Sequence, residues 1–175
     1  RSASRASSSA GLAEVPAARL RLHWPEAAIH CSRRLSPEGK DLTAQPFDGL
    51  MPAVAERFRE FDGHIFIMAA GIVVRAIGPL LGHKHRDPAV VVVDDAGLFA
   101  ISLVAGHVGG ANRLARRTAE LLGAVPVITT ATDVNGRPAI DVLAVELGLA
   151  IENPAAVKGV NMTLLAGRPL PLWDP

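Results

Sequence analysis

The stretch Ala89-Val-Val-Val-Val-Asp94, an apolar run that ends at an aspartate, decides the fold. A run that is apolar at every position predicts a strand buried on both faces, because a half-exposed strand would alternate apolar and polar residues. His64-Ile-Phe-Ile-Met-Ala69 is a second run of this kind. Strands buried on both faces belong to a sheet covered by helices on both sides. We therefore predict an α/β fold with three layers, αβα.

The segments around these two strands supply the other elements. Asp95-Ala-Gly97 predicts a tight turn, and Leu98-Phe-Ala-Ile-Ser-Leu103 then predicts the next strand. Short strands are also predicted at 28–31 and 125–128, and apolar residues at helical spacing predict helices at 50–61, 71–80, 111–122, 140–147 and 155–165. The helix at 71–80 is apolar on every side except at Arg75, which is typical of a helix packed inside layers. Alternating helices and strands favour a mostly parallel, Rossmann-like sheet.

The length of 175 residues fits one compact domain with the opening of a second. We predict a flexible, serine-rich tail over residues 1–11, an α/β domain over 12–150, and a helix and linker over 151–175 that lead into a further region.

Composition and charge exclude several classes of protein. Eighteen Lys and Arg balance seventeen Asp and Glu, which argues against a nucleic-acid-binding module. Cys31 is the single cysteine, so it forms neither an internal disulfide nor a cysteine zinc cage, and a reducing, cytoplasmic location is expected. No apolar run approaches the roughly 20 residues of a membrane span, and the serine-rich start lacks the apolar core of a secretory signal.

In α/β sheets, ligands bind beyond the carboxyl ends of the strands, which directs attention to the loops 69–71, 105–112 and 129–136. The second loop contains Gly106-His-Val-Gly-Gly-Ala-Asn112 and opens a helix. Its glycines allow close approach of a ligand, and helix amides favour a carboxylate or an oxyanion. His107 is a candidate general base or acid; equally, the glycines permit a tight turn and His107 caps a carbonyl. The loop does not match Gly-x-Gly-x-x-Gly, so no nucleotide is implied.

The third loop, Thr129-Thr-Ala-Thr-Asp133, offers hydroxyls and a carboxylate. It could bind a polar substrate, with Asp133 orienting His107 or activating water, or simply cap a helix. Arg75 is either an anion clamp or one partner of a structural ion pair. His83-Lys-His85 has metal-ligand spacing, but without further ligands a solvated turn is the favoured interpretation.

Four blocks in this order resemble the N-terminal region of the CbiG family, the cobalt-precorrin-5A hydrolases of anaerobic cobalamin biosynthesis. They are 66–75, Lys84 with 87–94, 101–112 and 126–136, and Glu152-Asn-Pro154 with Lys158 and Asn161 resembles the start of the family's middle region. The resemblance covers roughly residues 46–172. Residues 1–25 depart from the family's usual first strand and helix, and its later portions do not follow within the chain. A part of a longer protein is therefore expected.

The resemblance implies hydrolysis of a lactone in a cobalt corrinoid, with release of acetaldehyde. The cobalt belongs to the substrate, so neither a protein metal site nor a cofactor is expected. We predict His107 and Asp133 as catalytic residues. The predicted substrate-binding residues are Gly71, Arg75, Gly106, Gly109, Gly110, Asn112, Thr129, Thr130 and Thr132. Other cobalamin-biosynthesis enzymes are expected partners, and a non-catalytic tetrapyrrole-binding or docking domain is the alternative function.

Overall fold

The computed structural model describes residues 13–34, 44–83 and 86–171, so the predicted tail at 1–11 lies outside the described residues. The strands are β1 (His30–Ser32), β2 (Gln45–Phe47), β3 (Gly63–Ile67), β4 (Ala89–Val93), β5 (Phe99–Val104) and β6 (Val125–Val127). The helices are α1 (Glu14–His23), α2 (Leu50–Arg57), α3 (Ala70–Ile77), α4 (Ala111–Leu122), α5 (Ala131–Val134), α6 (Ile140–Glu146) and α7 (Val157–Leu165). Short 3-10 turns follow α3 and precede α7.

The main sheet has the strand order β3-β4-β5-β6, and β1 and β2 form a separate parallel pair. In the main sheet, β3 pairs with β4 and β5 pairs with β6 in parallel, whereas β4 and β5 are antiparallel. The predicted α/β class with a mostly parallel sheet is thus confirmed.

Strand β4 lies at the centre of the molecule, and all five of its residues are buried. Val91 and Val93 pack against α1 and α4 on one face. Val90 and Val92 pack against α2 and α3 on the other face, where Phe58 and Ile77 are almost fully buried. Successive strand side chains point to opposite faces, so an all-apolar strand requires helices on both. The helices on the two faces confirm the three layers.

The turn between β4 and β5 is held by the Asp94 carboxylate. It accepts hydrogen bonds from the amides of Ala96 (3.0 Å), Leu98 (2.9 Å) and Phe99 (2.7 Å). Partial burial raises the pKa of Asp94, but the backbone hydrogen bonds outweigh it and hold this pKa below its usual range. Because the chain reverses here, β5 and β6 end at the edge of the sheet where β3 and β4 begin.

Helix α1 was not predicted from the sequence. Of its ten residues only Pro16 and Leu20 are buried, so its apolar pattern is too weak to indicate a helix. Pro16 is tolerated because it lies in the first turn, where its missing N–H has no partner within the helix. Leu20 joins the core beside α4, and the Arg19 guanidinium donates to the Leu122 carbonyl at 3.0 Å.

Two further expectations need correction. Helix α3 is not packed on all sides: Ile72 and Val74 are 44% and 50% exposed, because α3 lies in an outer layer and buries only the side that faces the sheet and α2. The segment after β6, expected as a loop, contains the short helix α5.

Phe58 and Phe61 provide a matched test of the core beneath α2. Phe58 is 1% exposed and Phe61 is 40% exposed. We expect Phe58→Ala to lower the free energy of unfolding by about 3–5 kcal/mol, because it removes buried surface and leaves a cavity. Phe61→Ala should cost less than half as much. Urea unfolding of both variants measures this, and equal losses would contradict the packing described.

Candidate active site

Two of the three predicted loops meet at one edge of the sheet. Strands β5 and β6 are parallel neighbours, so the segments that follow them lie side by side. His107, in the loop after β5, places its Nε2 atom 2.7 Å from Thr132 Oγ1 and 3.4 Å from Asp133 Oδ2. The structure therefore brings together the two residues predicted as catalytic.

The Asp133 carboxylate is the centre of the polar contacts at this edge. Its Oδ2 atom accepts from Thr130 Oγ1 at 2.7 Å and from Asn112 Nδ2 at 2.9 Å, and its Oδ1 atom pairs with the Arg116 guanidinium. Partial burial raises the pKa of Asp133, but the hydrogen bonds from Arg116 and Thr130, with the charges of Arg116 and His107, outweigh it and hold this pKa below its usual range. Asp133 is thus an anion at neutral pH.

An anionic carboxylate beside Nε2 favours the tautomer of His107 that carries its proton on that nitrogen. The Nε2–H group then donates to Thr132 Oγ1, with Asp133 Oδ2 close by. The second ring nitrogen, Nδ1, keeps its lone pair and has no hydrogen-bond partner among the residues that the structure describes. Because the His107 side chain is 26% exposed, Nδ1 is in a position to take a proton from water.

Three backbone amides from Gly110 to Asn112 donate hydrogen bonds to the loop after β5, whereas that of Gly109 is left for a ligand. The amide of Gly110 donates to the His107 carbonyl at 2.8 Å, and those of Ala111 and Asn112 donate to Ala105 and Gly106, each at 3.0 Å. Gly110 is therefore engaged within the loop, and its predicted role at an oxyanion is not supported. Within the described part of the chain, the amide of Gly109 has no acceptor and can still serve.

Gly106 and Gly109 are required by the packing of the loop itself. A Cβ atom on Gly106 would lie 2.8 Å from Asn112 Oδ1, and one on Gly109 would lie 2.4 Å from the Ala105 Cβ. Ala105 has a φ of +58°, which is uncommon for a residue other than glycine. The glycines therefore let the loop fold tightly against α4.

Three residues predicted to touch substrate are instead engaged inside the protein. Asn112 and Thr132 are 5% and 4% exposed. The Asn112 amide donates to both Thr130 and Asp133, and the Thr130 hydroxyl donates onward to Asp133. Thr129 is exposed at this edge. Among the predicted hydroxyls, Thr129 is the one open to a ligand.

Gly71 and Arg75 do not belong to this cluster. Helix α3 follows β3, whose carboxyl end lies at the opposite edge of the sheet because β4 and β5 run antiparallel. Helix α3 also packs on the opposite face from α4. Arg75 is exposed, and its guanidinium lies 3.4 Å from the Gly71 carbonyl. It reaches solvent without a carboxylate partner among the described residues, so no structural ion pair is seen there, and its role as an anion clamp stays a prediction.

Two members of the cluster were missed by the sequence analysis. Ser102 on β5 donates to Asn112 Oδ1 at 2.7 Å, and Arg116 on α4 pairs with Asp133. Arg116 lies four residues after Asn112, so helical spacing places both on one side of α4. That spacing could have indicated Arg116, whereas nothing in the local sequence pairs Ser102 with the loop.

The His83-Lys-His85 segment, for which a solvated turn is the favoured interpretation, lies partly outside the described residues, because Lys84 and His85 are not described. Over residues 13–34, 44–83 and 86–171, the structure shows no group of three or more His, Cys, Asp or Glu side chains that could hold a metal ion.

Two segments of the chain match models of known protein families. Residues 52–133 match the family model described as "Cobalamin synthesis G N-terminal", and residues 138–175 match the one described as "Cobalamin biosynthesis central region". The chain belongs to the cobalamin synthesis G family. The N-terminal match ends at Asp133, so it includes every residue of the cluster around His107. The division of the chain predicted near residue 150 stays a prediction.

Curated relatives in this family carry the name cobalt-precorrin-5A hydrolase. The one from Salmonella typhimurium is 48% identical over 130 residues, which are 73% of this chain and 37% of that protein. The one from Priestia megaterium is 42% identical over 116 residues, 66% of this chain and 30% of that protein. The chain spans about a third of the length of these curated relatives.

One solved structure is described as that of a cobalamin biosynthesis protein G homolog from Sulfolobus solfataricus. It is 23% identical, with a TM-score of 0.49, over 97% of this chain and 49% of the other. In the described residues of the present chain, no helix is both long and apolar enough to span a membrane.

The lowered pKa of Asp133 predicts a pH dependence of stability. A carboxyl whose pKa is depressed by folding adds stability above its unfolded pKa, about 3.9, and loses it as the pH falls through the folded value. We expect Asp133→Asn to be less stable than the parent chain at pH 7, with a difference that shrinks from about pH 5 downwards.

Urea unfolding of both proteins between pH 7 and pH 3 measures this difference. Asp95→Asn, at an exposed turn position, is the matched control and should show little effect at any pH. A difference for Asp133→Asn that stayed constant, or that grew in acid, would contradict the ion pair described.

Proposed function

We propose that the chain forms the catalytic-base portion of a cobalt-precorrin-5A hydrolase in cobalamin biosynthesis. In this proposal it opens the δ-lactone of a cobalt corrinoid and releases acetaldehyde. The observation that supports it most is the contact of His107 Nε2 with Asp133, within the segment that matches the family's N-terminal region. Relatives that are 48% and 42% identical to this chain carry the name cobalt-precorrin-5A hydrolase.

His107 activates water in the first step. Asp133 keeps the proton on Nε2, so Nδ1 accepts a proton as the water oxygen forms a bond to the lactone carbonyl carbon. The resulting tetrahedral intermediate carries an oxyanion. The Gly109 amide is the loop group best able to donate to it, a type of contact worth about 3–4 kcal/mol.

Collapse of the intermediate breaks the acyl carbon–oxygen bond and gives a carboxylate and an alkoxide. The alkoxide becomes the carbonyl of acetaldehyde as the adjacent carbon–carbon bond breaks. The bonding electron pair passes to the macrocycle, which takes up a proton. Water is therefore the co-reactant, and neither an oxidant nor a reductant is needed.

Basic side chains near the loop suit a substrate rich in carboxylates. The Arg113 guanidinium lies against Gly110, where a Cβ would be 3.5 Å from Nη2. The Arg116 side chain is 53% exposed beside Asp133. Guanidinium groups bind carboxylates through paired hydrogen bonds. In the proposal the substrate carries its own cobalt, the protein needs no cofactor, and the reaction takes place in the cytoplasm with other cobalamin-biosynthesis enzymes as partners.

Anaerobic incubation of the chain with cobalt-precorrin-5A tests the proposal. We expect acetaldehyde, and a corrinoid whose mass has changed by the addition of water and the loss of acetaldehyde. His107→Ala should lower the rate by about 100-fold or more, because it removes the base. His23→Ala is the matched control: His23 is exposed on α1, and its removal should leave the rate unchanged.

Two results would contradict the proposal. Undiminished turnover in folded His107→Ala would remove His107 from the chemistry. Corrinoid bound to the parent chain with unchanged mass would select the alternative function, a tetrapyrrole-binding domain without catalysis.

A further inference from the structure

Asn112 is the most unusual residue on the buried side of α4. The other buried residues of this helix are Ala, Leu and Thr, whereas Asn112 places a carboxamide at 5% exposure. A buried amide is unfavourable unless its donors and acceptor are hydrogen-bonded. Here the protein meets that requirement with three contacts, one from β5 and two from the segment after β6.

The contacts of Asn112 are directional. Its Oδ1 atom accepts from Ser102 on β5 at 2.7 Å. Its Nδ2 atom donates to Thr130 Oγ1 and to Asp133 Oδ2, both at 2.9 Å. Both amide protons are thus used, and one of them is directed at the carboxylate oxygen that faces His107.

We infer that Asn112 is a positioning residue: it fixes the Asp133 carboxylate so that this group selects the Nε2–H tautomer of His107. The carboxylate is bound from two sides. Arg116 holds Oδ1 and supplies the positive charge, while the neutral amide of Asn112 and the hydroxyl of Thr130 hold Oδ2. Oδ2 accepts from both neutral donors and lies 3.4 Å from His107 Nε2, so the negative charge of the fixed carboxylate faces that nitrogen.

Gly106 supports the same conclusion from the opposite side. Its missing side chain leaves the space that Asn112 Oδ1 occupies, since a Cβ there would lie 2.8 Å away. The loop that carries His107 is therefore shaped around the Asn112 carboxamide. One buried side chain sets the position of the base-bearing loop and of the carboxylate that orients the base.

The test reads the tautomer of His107 directly and needs no turnover, so it is independent of the proposed function that this inference deepens. Long-range proton–nitrogen NMR spectra of the ¹⁵N-labelled chain report which ring nitrogen carries the proton, and His107→Ala assigns the signals. In the parent chain we expect the Nε2–H form. Asp133→Asn removes the carboxylate, so this variant shows how far the His107 nitrogen signals move when the carboxylate is lost completely.

Asn112→Ala should move the His107 nitrogen signals toward those of the Asp133→Asn variant. Asn135→Ala is the matched control, because the Asn135 amide donates only to the Ala131 carbonyl in the described structure. The signals of His64, whose Nε2–H group donates to the Phe58 carbonyl at 2.9 Å, should stay in place and report an intact fold.

Unchanged His107 signals in folded Asn112→Ala, with changed signals in Asp133→Asn, would overturn the inference. If Asn112→Ala loses the His64 signals through unfolding, Ser102→Ala decides, because it releases Asn112 Oδ1 and leaves the carboxamide present. A shift of His107 in the same direction supports the positioning role, and no shift overturns it.

Kinetics provide a second readout. In a chain that turns over cobalt-precorrin-5A, Asn112→Ala should lower kcat by about 10- to 100-fold with little change in KM, as expected for a residue that acts through another. A parent chain that releases no acetaldehyde would contradict the proposed function alone, and the dependence of the tautomer on Asn112 would still be measured.

Discussion

The antiparallel pairing of β4 with β5 determines where the candidate ligand-binding loops lie. Asp94 stabilises the turn between the two strands by accepting hydrogen bonds from three backbone amides. Those hydrogen bonds also hold the pKa of Asp94 below its usual range. In a fully parallel sheet, the segments after β3, β5 and β6 would share one edge. Here the antiparallel pairing places the segments after β5 and β6 together at one edge of the sheet and the start of α3 at the opposite edge. The candidate site therefore contains His107 and Asp133 but not Arg75.

Burying the polar cluster at this edge is less favourable for folding than burying apolar side chains. A partly buried carboxylate and a buried carboxamide require a complete set of donors and acceptors, and a partly satisfied set would destabilise the fold. The protein supplies that set from β5, α4 and the segment after β6. The result is an oriented imidazole next to an anion, which is the arrangement that general-base chemistry requires. The cluster lies within the segment that matches the family's N-terminal region.

The sequence predicted the core layers well because their signals are local. The valine run of β4, the helical spacing in α4 and the glycine at 123, with a φ of +70°, all act within a few residues. Helix α1 is not predictable from its apolar pattern, because only two of its residues are buried. The edge at which Arg75 lies depends on strand direction, which is set by pairing across the sheet. The proximity of Asp133 to His107 is predictable from the sequence, because both residues lie in loops that follow predicted strands. The burial of Asn112 and Thr132 is not predictable in this way, because it depends on packing between separate elements.

We expect ligands to bind this protein at the edge formed by the segments after β5 and β6. Titration of the ¹⁵N-labelled chain with a cobalt corrinoid, followed through the backbone amide signals, would locate the binding edge. We expect shifts concentrated at residues 105–112 and 129–134, with little change along α3. Shifts concentrated at Gly71 and Arg75, with unmoved signals around His107, would contradict it.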